Sequence, residues 1–108
     1  MATSIELDIR NPSGLHARPA AVFVKAAAAF HSDIRIANVT TGSGSVTAKS
    51  IIGVLSLGVQ RGHRVRLLVD GADESTAAAT LRLLVEAGLE EPLDGPPAHE
   101  ASSPATGG

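Results

Sequence analysis

The stretch SIELDIRNPSGLHARPAAVF, residues 4–23, changes its hydrophobic period half-way along. Up to Arg10 the apolar residues alternate. Ile5, Leu7 and Ile9 fall on one face, and Glu6, Asp8 and Arg10 on the other, the pattern of a strand with one buried side. Asn11-Pro12-Ser13-Gly14 interrupts it with turn residues, proline presetting φ and glycine admitting φ > 0. From Ala17 to about Phe30 the period is helical, with Phe23, Ala26 or Ala27, and Phe30 on one stripe.

The same two periods organise the chain beyond this point. DIRIANV (33–39) alternates through Ile34 and Ile36, and TTGSGS reads as a loose hairpin turn into a short strand around Val46 and Ala48. SIIGVLSLG (50–58) is too short and glycine-bounded for a long helix, and fits two turns started by Ser50 and stopped by Gly58. RVRLLVD (64–70) predicts a fourth strand with Val65, Leu67 and Val69 facing in. Asp73 reads as the N-cap of a helix from about Glu74 to Ala87, ended by Gly88.

The order is β-α-β-β-α-β-α. These strands alternate and lack the continuous apolar runs of a parallel sheet buried on both faces. The expected fold class is therefore α+β: an antiparallel sheet of four strands covered on one face by the helices, with Glu6, Asp8, Arg35, Arg64 and Arg66 on the open face. Residues 1–88 form the expected domain. Residues 89–108 hold four of the chain's six prolines without periodicity, and read as a disordered tail or interdomain linker.

Composition removes several functions. The chain is 44% hydrophobic but only 2% aromatic, with Phe23 and Phe30 and no Trp or Tyr, so aromatic platforms for stacking bases or sugars are nearly excluded. Its net charge is -2, yet Arg82 is the only basic residue after Arg66, and Glu6, Asp8 and Asp33 are the only acids before it. That division suits an acidic partner or a phosphate better than a nucleic acid. Zero cysteines remove disulfides, thiolate metal sites and cysteine nucleophiles. His31, His63 and His99 lack metal-ligand spacing, and no second glycine precedes Lys49-Ser50 as a P-loop requires. No metal or cofactor is expected. With neither a signal sequence nor an apolar run of membrane-spanning length, the expected location is the cytoplasm, without membrane association.

Chemistry concentrates at residues 14–20. If the helix begins at Ala17, His16 is its N-cap and Pro19 lies in the first turn, where its missing N–H costs nothing. The N–H groups of Ala17, Arg18 and Ala20 then point outward at the positive end of the helix dipole, an anion site. Arg18 adds a permanently charged planar fork suited to phosphate oxygens. Beside them, a neutral imidazole nitrogen of His16 can attack a phosphoryl group while the amides and Arg18 spread its charge. The competing reading makes His16 a polar cap on an ordinary strand-to-helix turn. Residue types and spacing leave both open.

GLHARPAA, together with the later AKSIIGVLSLG, closely resembles the HPr family, the phosphocarriers of the phosphoenolpyruvate-dependent sugar phosphotransferase system. The resemblance runs from about Ser4 to Ala87 and implies an open-faced β-sandwich. It implies that His16 accepts a phosphoryl group from phospho-enzyme I through Nδ1 and passes it to an enzyme IIA domain, with Arg18 steadying the group. Such a protein is a phosphotransfer intermediate rather than an enzyme with its own small-molecule turnover, and a monomer is expected. Ser50 matches the family's regulatory serine, a target of HPr kinase/phosphorylase, although a serine there is also simply a good N-cap. Ile51, Ile52 and Leu55 cannot all face inward on so short a helix, and in the family such residues dock enzyme I and IIA. Ile52 and Leu55 are the expected exposed pair. Two other functions stay open: a regulatory module acting through Ser50, and a domain serving a dihydroxyacetone kinase phosphotransferase. The loop ANVTTGSGS looks longer than the usual family hairpin, and the tail is not part of a short HPr.

Overall fold

In the computed structural model, which describes residues 2–91, the elements follow the expected order. They are β1 (Thr3–Asp8), α1 (Ala17–Ala28), β2 (Asp33–Asn38), β3 (Val46–Thr47), α2 (Ile51–Ser56), β4 (Arg64–Asp70) and α3 (Glu74–Glu86). The strands form one antiparallel sheet in the order β1-β4-β2-β3. The last strand is thus central, and Leu67 lies between Ile5 on β1 and Ile36 on β2.

Alternation explains the layering. Val65, Leu67 and Val69 of β4 are buried, as are Ile34 and Ile36 of β2, and they meet Phe23 and Ala27 of α1, Val54 of α2, and Ala77, Leu81 and Val85 of α3. Each fully buried Val, Leu, Ile or Phe contributes about 1.5–3 kcal/mol of burial free energy. With Phe23 the largest fully buried side chain, the small alanines let the helices sit close to the aliphatic sheet. The outer face carries the charges. Register sets Glu6 opposite Arg66 and Asp8 opposite Arg64, with ion pairs at 2.8 and 3.0 Å. Such exposed pairs stabilise little but keep this face polar and favour one register.

Asp73 departs from its expected role. It precedes α3 with φ -104° and ψ 24°, and its side chain does not cap that helix. Its carboxylate instead reaches the connection between α1 and β2, accepting the backbone N–H groups of His31 and Ser32 at 2.9 Å each and the Ser32 hydroxyl. These donors stand between α1 and β2, where neither helix nor ladder supplies an acceptor. The Glu74 carboxylate serves the start of α3, accepting from Gly71 N–H at 3.2 Å and from the Thr3 hydroxyl at 2.6 Å.

Gly88 does terminate α3, with φ 95°. Its N–H donates to Val85 and that of Leu89 to Leu84, both at 3.0 Å, a left-handed cap sealed by the fully buried Leu89. Packing therefore continues past residue 88; residues 92–108 of the expected tail lie outside the described residues. After β2, buried Asn38 organises the long hairpin. Its Nδ2 donates to the Leu57 carbonyl at 3.2 Å and lies 3.1 Å from His63 Nδ1, while its Oδ1 accepts from Thr41 N–H. No helix among the described residues is long and apolar enough to cross a membrane.

Candidate functional site

The loop between β1 and α1 is built around Gly14. With φ 62° it lies in the left-handed region, and a Cβ there would collide with the Val59 carbonyl and stand 2.8 Å from Gln60 Cα. Only glycine fits. Leu15, fully buried, donates its N–H to the Val59 carbonyl at 3.0 Å, and Gly14 N–H donates to Asn11. The segment before His16 is thereby pinned to the chain between α2 and β4.

His16 is the N-cap residue of α1 by backbone, with φ -131° and ψ 159°, but its side chain makes no capping bond. It is half-buried, and among the described residues its ring nitrogens have no hydrogen-bond partner. Of the two readings of His16, the simple cap loses its defining bond. Ala17 follows at φ 53°, an uncommon conformation for a residue with a Cβ. The N–H groups of Ala17 and Arg18 have no partner among the described residues, and both residues are exposed. Ala20 is fully buried beside Pro19, so the open amides are the first two of the three anticipated. The Arg18 guanidinium reaches Glu90 at 3.4 Å in a pair exposed on both sides.

The second motif packs alongside, α2 lying against α1. Ser50 caps α2, its Oγ accepting the Gly53 N–H at 3.1 Å. Lys49 extends across to the Phe30 carbonyl at 2.7 Å, joining the start of α2 to the end of α1. Val54 turns inward, while Ile51, Ile52 and Leu55 are all exposed, Ile52 most at 77%. No group of acidic, histidine or cysteine side chains among the described residues could hold a metal.

This arrangement coincides with a known family. The model of the PTS HPr component phosphorylation site matches residues 3–87. The chain belongs to the HPr family. HPr of Treponema pallidum is 39% identical over 83 residues, covering 77% of this chain and 91% of that protein. The structure of HPr-C-His from Thermoanaerobacter tengcongensis superposes with a TM-score of 0.79 at 42% identity, over 84% of this chain and 99% of that one. The multiphosphoryl transfer protein of Haemophilus influenzae is 40% identical over 92 residues, which make up 85% of this chain but only 18% of that longer protein. This chain therefore spans a small part of the length of such relatives.

The HPr-family match ends before two acids that reach the site. Glu90 pairs with Arg18. Glu91 accepts from Asn11 Nδ2 and Ser13 N–H at 2.9 Å each and from the Ser13 hydroxyl at 2.7 Å. By sequence both fall in the expected tail. The available signal was Leu89 after the helix-ending Gly88, an apolar residue suited to closing a glycine cap and drawing its neighbours inward.

Proposed function

We propose that His16 is the phosphoacceptor of this HPr-family chain, taking a phosphoryl group from phospho-enzyme I and giving it to an enzyme IIA domain. The observation that carries this reading is the uncapped imidazole at the start of α1, next to two open amides and Arg18. In the forward step the lone pair of Nδ1 forms the new N–P bond as the donor's P–N bond breaks, and the donor nitrogen keeps the electron pair. With the imidazole proton on Nε2, attack through Nδ1 needs no base. The N–H groups of Ala17 and Arg18, the Arg18 guanidinium and the helix dipole stabilise the phosphoryl oxygens. Arg18 is 81% exposed in its side chain, free to exchange Glu90 for the phosphoryl group.

Ile51, Ile52 and Leu55 form the docking patch for both partners. Their exposure on a short helix packed against α1 supports this, since apolar residues in one patch beside a reactive group suit transient association. A phosphate on Ser50 would place a dianion beside that patch and oppose an acidic partner. The capping bond to Gly53 also gives Ser50 a role without modification. In longer phosphotransferases resembling the Haemophilus influenzae protein, the same chemistry would pass between neighbouring domains.

Incubation with phosphoenolpyruvate and enzyme I should give an acid-labile, base-stable phosphate on the wild type and none on His16→Ala. Equal labelling of His16→Ala would overturn the assignment.

A further inference from the structure

The turn after α3 is held in a shape that helix capping alone does not require. Beyond Gly88, both Leu89 and Glu90 adopt left-handed backbone, φ 53° and 69°. Neither has glycine's freedom, so consecutive left-handed residues persist only where tertiary contacts over-determine them. Burial of Leu89 is one such contact. The pair between Glu90 and Arg18 is long and exposed on both sides, and contributes little. The strongest polar anchor is Glu91.

Its two carboxylate oxygens take three donors, all from the loop that delivers His16: Asn11 Nδ2, Ser13 N–H and Ser13 Oγ–H. Partial burial pushes this carboxyl up, but the bonds from Asn11 and Ser13 outweigh it and hold it below the usual carboxylate range. Glu91 is therefore an anion at neutral pH, and its bonds are charge-assisted. On the loop side, Asn11 is fully buried, and its Nδ2 is shared between Glu91 and the Gly14 carbonyl at 2.9 Å each. Among the described residues Ser13 N–H has no acceptor except Glu91. One flank of the loop is pinned to Val59 and Gln60 through Gly14 and Leu15; Glu91 pins Asn11 and Ser13.

We propose that Glu91 is a positioning residue for phosphoryl transfer, its carboxylate clamping Asn11 and Ser13 and so fixing the loop that presents His16 and the open amides of Ala17 and Arg18. The inference rests on His16 as phosphoacceptor. Transfer requires the attacking nitrogen, the phosphorus and the stabilising amides in one geometry, and a displacement of about 1 Å costs roughly a hundredfold in rate. A loop freed from Glu91 keeps all its chemical groups but holds them less well.

Glu74 supplies a matched control. It also accepts a loop N–H and a hydroxyl, from Gly71 and Thr3, but at the opposite end of β1. Rates of transfer from phospho-enzyme I are measured for Glu91→Ala, Glu91→Asp, Glu91→Gln and Glu74→Ala, well below each protein's Tm. Glu91→Ala should lower kcat about tenfold while KM stays within about twofold. Glu91→Asp keeps the charge but is one methylene too short, and should lose about threefold, whereas Glu91→Gln keeps an acceptor and should recover most of the rate. Glu74→Ala should lose thermal stability with kcat unchanged. Wild-type kcat in Glu91→Ala, or an equal fall in Glu74→Ala, would overturn the proposal. If Glu91→Ala does not fold, wild-type kcat in Glu91→Asp does the same. These outcomes are separate from failure of the parent reading, in which His16→Ala would itself be labelled.

Discussion

Asp73 accepts the backbone N–H of Ser32 at 2.9 Å, fastening the approach to α3 onto the start of β2. The bond joins residues more than forty positions apart and replaces the helix cap that local sequence suggests. With the Ser32 hydroxyl and the His31 N–H also donating, the Asp73 carboxyl is held at about 2 rather than 3.8.

That relationship predicts a specific acid limb. A carboxyl whose pKa is lowered by folding adds stability that is complete above its unfolded value and lost as pH falls through the folded value. The contribution from Asp73 should therefore be present at neutral pH and fade from about pH 4 towards about pH 2. Thermal melts of the wild type and Asp73→Asn across this range should differ most at neutral pH and converge in acid. A constant difference at every pH would show that Asp73 does not act through its charge.

Ala17 stands at φ 53° between His16 and Arg18. A left-handed alanine costs about 1–2 kcal/mol, and glycine removes that cost while adding about 0.4–1 kcal/mol of unfolded-state entropy. Ala17→Gly should therefore be neutral or stabilising by up to about 1.6 kcal/mol, contrary to the usual effect of glycine at a helix. Urea denaturation measures this directly. A loss above about 1 kcal/mol would mean that Ala17 adopts ordinary helical φ in solution.

Ile52 is 77% exposed, so Ile52→Ser should change stability by less than about 0.5 kcal/mol. If the α2 patch docks partners, the same substitution should raise KM for phospho-enzyme I roughly tenfold with kcat maintained, the size of a central interface residue. An unchanged KM would move the docking surface elsewhere.

Local structure was largely legible in the sequence. Strict alternation in residues 4–10 and 64–70 and the helical stripe through Phe23 identify their elements from the side chains alone, because burial on one face demands those periods. The short α2 was legible too, through Ser50 and Gly58. The expected exposed pair was Ile52 and Leu55, but Val54 takes the core position and Ile51 is turned outward as far as Leu55.

Non-local partners were not legible. Asp73 looks like a helix cap in any list of neighbours, and becomes a tether only because folding leaves unpaired amides at His31 and Ser32 within its reach. Glu90 and Glu91 look like the start of a polar tail until Leu89 is buried and the chain turns back onto Arg18, Asn11 and Ser13.

The order β-α-β-β-α-β-α, the alternating faces of the strands, the glycine-bearing turn before His16 and the family motifs are all legible in the residues alone. These follow from local periodicity and turn chemistry. Folding alone sets β4 between β1 and β2, leaves His16 at the head of α1 without capping it, and brings Glu91 onto the loop from eighty residues away. Those depend on which surfaces meet when the apolar faces are buried together, a property of the packed chain rather than of any segment of it.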